Sequence, residues 1–236
     1  MPRPRIPERR TQLLAAARAL ALERGWPSTT VADITSRVDV GKGAFYLEFE
    51  NKAAILDVLI ADGMRALSRA VHRRVMAAHA AIDLPTIYEF AIDALLDDPL
   101  MRAFFLGDAS VLGDHVQSVH DGRYRQRFDW LTEYVTALQE AGVIAARTDA
   151  QVLSQMLSVF TLGLLNAPGT IQVDSDAQLR RTVAMFADLV GKGLATNRPV
   201  DTEASRRAQL AMLDRLQNQL DELRTSGSGD QPRENR

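Results

Sequence analysis

The sequence predicts an all-α fold made of a small N-terminal head of three helices, a larger helical body and one extra helix near the C-terminal end. Three observations carry this. Apolar residues recur at spacings of three and four along most of the chain, and no stretch shows the two-residue alternation of a strand. Capping residues ahead of these runs, and glycines or prolines behind them, cut the pattern into helical lengths. With 236 residues there is enough chain for a head and a body with a proper core.

The elements follow in order. Residues 1 to 7 hold Arg3, Arg5 and three prolines and read as a flexible arm. From Glu8 to Glu23 the set Leu13, Leu14, Ala17, Leu20 and Ala21 makes one face of a helix that Gly25 stops, with Trp26 or its neighbours closing the corner. Between Pro27 and Lys52 lie two short helices. Thr30 can cap the first, which turns Val31, Ile34 and Val38 inward. Asp39 makes the turn, and the second helix sends Val40, Phe45 and Phe49 inward while Lys42, Gly43, Ala44, Tyr46, Leu47 and Glu48 share the outer face. This is a helix-turn-helix with a candidate recognition helix.

Past Lys52 the pattern Ile55, Leu56, Leu59, Met64, Leu67, Val71, Val75 runs unbroken to about His79, with Gly63 its weak point. One long helix therefore leaves the head and enters the body as a lever. Helices are expected from Pro85 to Asp97, from Pro99 onward and from Asp121 to Glu140, with residues 110 to 120 only weakly periodic. Thr148 with Gln151, and Ser175 with Gln178, look like capping boxes for two more. After Pro199, Leu213, Leu216, Leu220 and Leu223 form a two-heptad seam. That helix either packs back on its own body or pairs with its copy, and pairing is the slightly preferred reading. The Ser-Gly-rich end from about residue 226 reads as a disordered tail.

The stretch Thr29, Thr30, Val31, Ala32, Ile34, Val40, Lys42, Gly43, Phe45, Tyr46, Phe49, Asn51, Lys52, Ile55, Leu56 resembles the N-terminal domain of the TetR family of transcriptional regulators. The resemblance covers about a fifth of the chain. It implies a helix-turn-helix DNA-binding domain over 1–52 and a ligand-binding and dimerisation domain over 53–197, with 198–225 as an additional helix. It further implies a homodimer on a palindromic operator of double-stranded DNA, released by a small-molecule effector, and so a repressor. DNA contacts are expected at Thr29, Thr30, Lys42, Gly43, Ala44, Tyr46, Glu48 and Lys52. The family pattern is departed from in three places: Asp39 replaces the turn glycine, Gly41 a capping serine, and Leu47 with Glu48 an aromatic or His pair. Glu48 should either accept from a cytosine amino group or point out of the groove, because a carboxylate beside phosphates is otherwise repelled.

Charge agrees in sign. Residues 1–52 carry nine Lys or Arg against six Asp or Glu, a net +3, and the remainder carries −5 of the total −2. Cysteine is absent, which excludes disulfides and thiolate metal sites. No apolar run is long enough to span a bilayer, and a cytoplasmic protein with no membrane partner is expected. His72, His79, His115 and His120 form no metal-ligand spacing, and no nucleophile stands beside a base, so neither an enzyme nor a cofactor is expected. An effector cavity, lipophilic or aromatic in character, is expected among Met64, Leu67, Phe90, Met101, Phe104, Phe105, Tyr124, Trp130 and Tyr134. The subunit interface is expected on helices 149–167 and 176–196, through Ser154, Ser158, Thr161, Phe186 and Val190. The rival reading is a helical module that binds a protein partner and has lost use of its head.

Overall fold

Helix-forming periodicity and caps are realised throughout the computed structural model, which describes residues 8–106, 111, 123–166 and 175–226. The readings of residues 1–7, of most of 110–120 and of the tail lie outside these. Ten helices are described: α1 (Arg9–Arg24), α2 (Val31–Arg37), α3 (Lys42–Tyr46), α4 (Lys52–Ala77), α5 (Leu84–Leu96), α6 (Pro99–Leu106), α7 (Arg123–Glu140), α8 (Ala150–Asn166), α9 (Asp176–Leu194) and α10 (Thr202–Ser226). No strand occurs among the described residues, so the all-α expectation holds.

Each helix of the head starts and stops for a local reason. Gly25 ends α1 at φ 82°, a backbone that a side chain would oppose. Thr30 caps α2 with a full capping box, its hydroxyl accepting from the Asp33 amide and the Asp33 carboxylate accepting from the Thr30 amide. Asp39 makes the turn at φ 52°, as a residue tolerant of the left-handed region should. Asn51 caps α4 by accepting from the Ala54 amide at 2.9 Å. The head core of Leu13, Ala17, Leu20, Trp26, Ile34, Phe45, Phe49, Ile55 and Leu56 is sealed from beyond residue 52, by Leu59 of α4 and by Leu100 and Ala103 of α6. Head and body thus share a wall.

In the body, α5 packs on α4 and α9, and α7 on α8. Ser175 caps α9 by accepting from the Gln178 amide, as expected. At α8 the cap is one residue late: Asp149, not Thr148, accepts from the Gln151 and Val152 amides at 2.9 and 3.0 Å. Asp combines a hydrogen-bond acceptor with a full negative charge at the helix N-terminus, which suits it to that place.

The preference for α10 pairing with its copy is corrected. α10 lies against α4 and α7 of its own chain, with Leu213 and Leu220 buried there. Polar groups fix it. The Ser205 hydroxyl and the Gln209 amide donate to the Ile82 carbonyl at 2.9 and 3.2 Å, and the Tyr134 hydroxyl donates to Gln209 Oε1 at 2.6 Å. Arg206 donates to the Ala78 carbonyl at the end of α4. At the other end the buried Arg65 of α4 donates to the Leu220 carbonyl at 3.1 Å and pairs with Asp62. A leucine seam has the same period whichever surface it meets, so the spacing alone could not choose.

Candidate nucleic-acid interface

α3 is five residues long, and its sequence divides it sharply. At 100° per residue, Phe45 faces one way and Gly43 and Leu47 face nearly opposite, one turn apart on a single ridge, with Lys42 and Tyr46 beside it. The burial follows this geometry. Phe45 is fully buried, Tyr46 is 57% exposed and Leu47 is 74% exposed. Tyr46 is steadied by an edge contact on Phe45, with ring centroids 5.4 Å apart.

Gly43 has no reason in the protein itself. A Cβ added there would meet nothing within 4 Å, and its φ is not in the left-handed region. A helical glycine with neither strain nor crowding to explain it weakens α3 to no internal benefit. What it does provide is close approach of the α3 backbone to something outside the chain.

The charges around α3 are sorted in the same direction. Arg9 of α1 pairs with the Glu48 carboxylate, its Nε donating at 2.9 Å, and Arg10 donates to the Glu48 carbonyl at 2.8 Å while lying 4.5 Å from the Phe49 ring centroid. Glu48 is therefore neutralised by its own head, which removes the repulsion noted from sequence and turns the carboxylate away from base reading. Arg24 pairs with Asp33 and Arg37 with Glu23. Hydrogen bonding, first from the Thr30 hydroxyl and then from Arg24, holds the Asp33 carboxyl well below the usual range. Arg18 of α1 donates to Asp98 at 2.8 Å. Lys42 is the basic side chain of the head that has no such partner among the described residues.

Besides Glu48, two more of the sequence-predicted contacts change role. Thr29 is 1% exposed, and its hydroxyl donates to the Gly25 carbonyl at 2.9 Å, so it braces the α1–α2 corner and offers no donor to solvent. Lys52 donates to the Trp26 carbonyl at 2.5 Å and lies 4.8 Å from the Trp26 ring centroid. Burial lowers its pKa against the pull of Asp33. Thr30 stays exposed but its hydroxyl is used within the capping box. The surface the structure brings together is Lys42, Gly43, Ala44, Tyr46 and, missed in the sequence reading of contacts, Leu47. Helical spacing from Phe45 was the signal that could have found it.

This geometry has relatives. Residues 13–59 match the family described as bacterial regulatory proteins, tetR family. Over these residues the chain is similar to the N-terminal domain of the TetR family. The TetC protein of transposon Tn10 from Escherichia coli is 26% identical over 86 residues, which are 36% of this chain and 44% of that protein. The match thus spans less than half the length of that curated relative. Among solved structures, a TetR-family transcriptional regulator from Pectobacterium atrosepticum superposes with TM-score 0.57 at 22% identity, covering 82% of this chain and 97% of the other. A protein of Pseudomonas aeruginosa PAO1 assigned as a transcriptional regulator gives 0.51 at 20%, covering 81% and 94%. At these identities the likeness is one of fold, and it reaches well into the body of this chain.

Among the described residues, those expected to line an effector cavity are spread over several packing clusters, with only Leu67 and Phe90 together. Met101 is buried against Gly63, Phe104 packs on the head core, Leu67 and Phe90 lie with Val71 and Val75, and Tyr134 lies with Val135 and Leu138 beside α10. Met64 and Trp130 are half-buried, and the side chains of Phe105 and Tyr124 lie outside the described set. A cleft of about 450 Å³ instead lies between α1 and α4, lined by Leu14, Arg18, Val58, Asp62 and Gly63 among others, and includes none of the nine. A groove of about 480 Å³ between α4 and α5 includes Phe90 alone of them. The aromatic centre of the body is Tyr88, Phe160 and Phe186, with Phe160 stacked on Phe186 at 3.5 Å.

Of the expected interface residues, Ser154, Phe186 and Val190 turn toward their own core. Ser154 is fully buried, its hydroxyl donating to the Ala150 carbonyl, and Phe186 and Val190 pack inward. Ser158 is half-buried and Thr161 is exposed. The outer faces of α8 and α9 carry Val152, Met156 and Val159, and Met185 and Leu189, each at least half exposed. Small residues suggested close approach, but Ser154 of α8 lies on the side turned to its own core.

Proposed function

We propose that this chain is a DNA-binding transcriptional regulator of the repressor type, acting in the cytoplasm as a homodimer on a two-fold symmetric operator and released by a small lipophilic or aromatic effector. The observation that carries the DNA-binding reading is the outer ridge of α3. It has a glycine the protein does not need, an unpaired lysine and an outward tyrosine, and the carboxylate just past the helix, Glu48, is already paired. Such a ridge suits the major groove, where a short side chain admits the backbone, a cation meets phosphate or guanine, and a phenol donates to phosphate.

The dimer reading is supported by the apolar strip on α8 and α9. Five large apolar side chains at helical spacing, each half or more exposed, belong to a surface that another surface covers. Met156→Glu combined with Leu189→Glu is expected to convert a dimer to a monomer in sedimentation velocity. The effector reading rests on the aromatic centre around Tyr88, whose hydroxyl shares a hydrogen bond with Thr161 and whose pKa is raised by burial.

The deciding experiment is fluorescence anisotropy of the full chain against a duplex selected from a random library, at two salt concentrations. Saturable, salt-sensitive binding that weakens in Lys42→Ala and Tyr46→Phe is the expected result. Failure to enrich any duplex would sink the reading and leave the partner-binding module in its place.

A further inference from the structure

Leu47 stands out among the large apolar side chains. At 74% it is the most exposed of them among the described residues, and it sits at the end of α3 on the same ridge as Gly43. Its backbone, at φ −77° and ψ −20°, continues the course of the helix, so the side chain projects outward from the face opposite Phe45. Gly43, one turn earlier, adds no side chain to that ridge. Whatever the backbone approaches at Gly43 therefore meets Leu47 as the first apolar projection.

We propose that Leu47 packs on the 5-methyl group of a thymine in each half-site and thereby sets a T·A preference at that position. This rests on the DNA-binding reading above. The chemistry is restrictive, because the thymine methyl is the one apolar feature among the base edges of the major groove. The neighbouring groups leave that role to Leu47. Glu48 is held by Arg9 and is not free to accept from cytosine, Lys42 and Tyr46 are polar donors fit for phosphate or a guanine edge, Gly43 has no side chain, and the short Ala44 is half-buried while Leu47 is exposed. The free cation on the same face, Lys42, favours a nucleic acid over a protein as the surface that covers the leucine.

The test removes the methyl and nothing else. A duplex enriched from a random library by the full-length protein is remade with deoxyuridine in place of thymidine, one position at a time, and anisotropy titrations are run with wild type and Leu47→Ala. The expected result is one thymine per half-site at which deoxyuridine weakens wild type three- to tenfold, and at which Leu47→Ala, weakened to a similar extent on the natural duplex, no longer responds. Unchanged melting and an unchanged salt slope in Leu47→Ala would show that fold and phosphate contacts are intact. The proposal is overturned if no thymine is sensitive, or if the sensitivity persists undiminished in Leu47→Ala, which would assign the methyl to another side chain. Failure to enrich any duplex is a different outcome, since it removes the DNA-binding reading and this proposal together.

Discussion

Replacing Gly43 by alanine should make the protein more stable and a poorer DNA binder at once. The added methyl meets nothing within 4 Å and demands no unusual φ. Alanine gains about 0.8 to 1.0 kcal/mol over glycine in a helix interior. In a helix of only five residues the gain is smaller, roughly 0.5 to 1 kcal/mol. For a chain of this size that is a rise of about 1 to 4 °C in Tm, readable by circular dichroism. Against DNA the same methyl stands where the helix backbone would come closest. A loss of at least about tenfold in affinity, ~1.4 kcal/mol, is expected at fixed salt. A variant that melts higher yet binds as tightly as wild type would refute the close-approach argument. One that melts lower would show that the site is crowded after all.

Three further outcomes follow from named contacts. Glu48→Gln is expected to leave base preference unchanged, because the carboxylate already serves Arg9; a shift in the bases selected would overturn this. Asp98 caps α6, accepting from the Leu100 and Met101 amides, and also accepts from Arg18. Burial opposes the charge, but Arg18 and the two amides outweigh it and lower the pKa. A lowered carboxylate pKa stabilises the fold above the ordinary value of about 4, and that contribution is lost as pH falls through the folded value. The stability gap between wild type and Asp98→Asn should therefore be present at neutral pH and close in acid, as urea titrations across pH will show. Finally, Gln209→Leu leaves the buried Tyr134 hydroxyl without its acceptor and should cost roughly 1 to 3 kcal/mol. Adding Tyr134→Phe should recover part of that in a double-mutant cycle, and strict additivity would contradict the coupling.

The parts of the fold that were legible in the sequence are those decided within a few residues. Thr30 with Asp33, Gly25 and Asp39 each set a helix end or a turn through their own backbone and nearest neighbours, so the head was readable almost residue by residue. The parts that were not legible depend on partners distant in the chain. Arg9 neutralises Glu48 from 39 residues away, and Gln209 meets Ile82 across 127. Burial of polar side chains misled most. Thr29, Ser154, Arg65, Ser205 and Gln209 are all enclosed, because each has a hydrogen-bonding partner that composition does not reveal. The outward face of α3 was legible, since the helix is so short that one buried phenylalanine, Phe45, fixes which side faces out.

Fastening α10 along α4 relocates the point about which the long helix can turn. The hydrogen bonds to α10 run from Arg65 to the carbonyl of Ala78, along the C-terminal half of α4, and the portion from Lys52 to Arg65 leads on to the head, where Leu59 packs with Leu100 and Ala103 of α6. That portion is about 20 Å long at 1.5 Å per residue. Rotating an arm of that length by about 10° displaces its tip by roughly 3.5 Å, and in a symmetric pair the two tips would separate by up to about 7 Å. Half-sites lie about 34 Å apart on one face of the duplex, so a displacement of that size would put one recognition helix out of its groove. On the proposed repressor reading, the extra helix would set a fulcrum at Arg65 and make a short, stiff arm the moving part, with the rest of α4 as its mount.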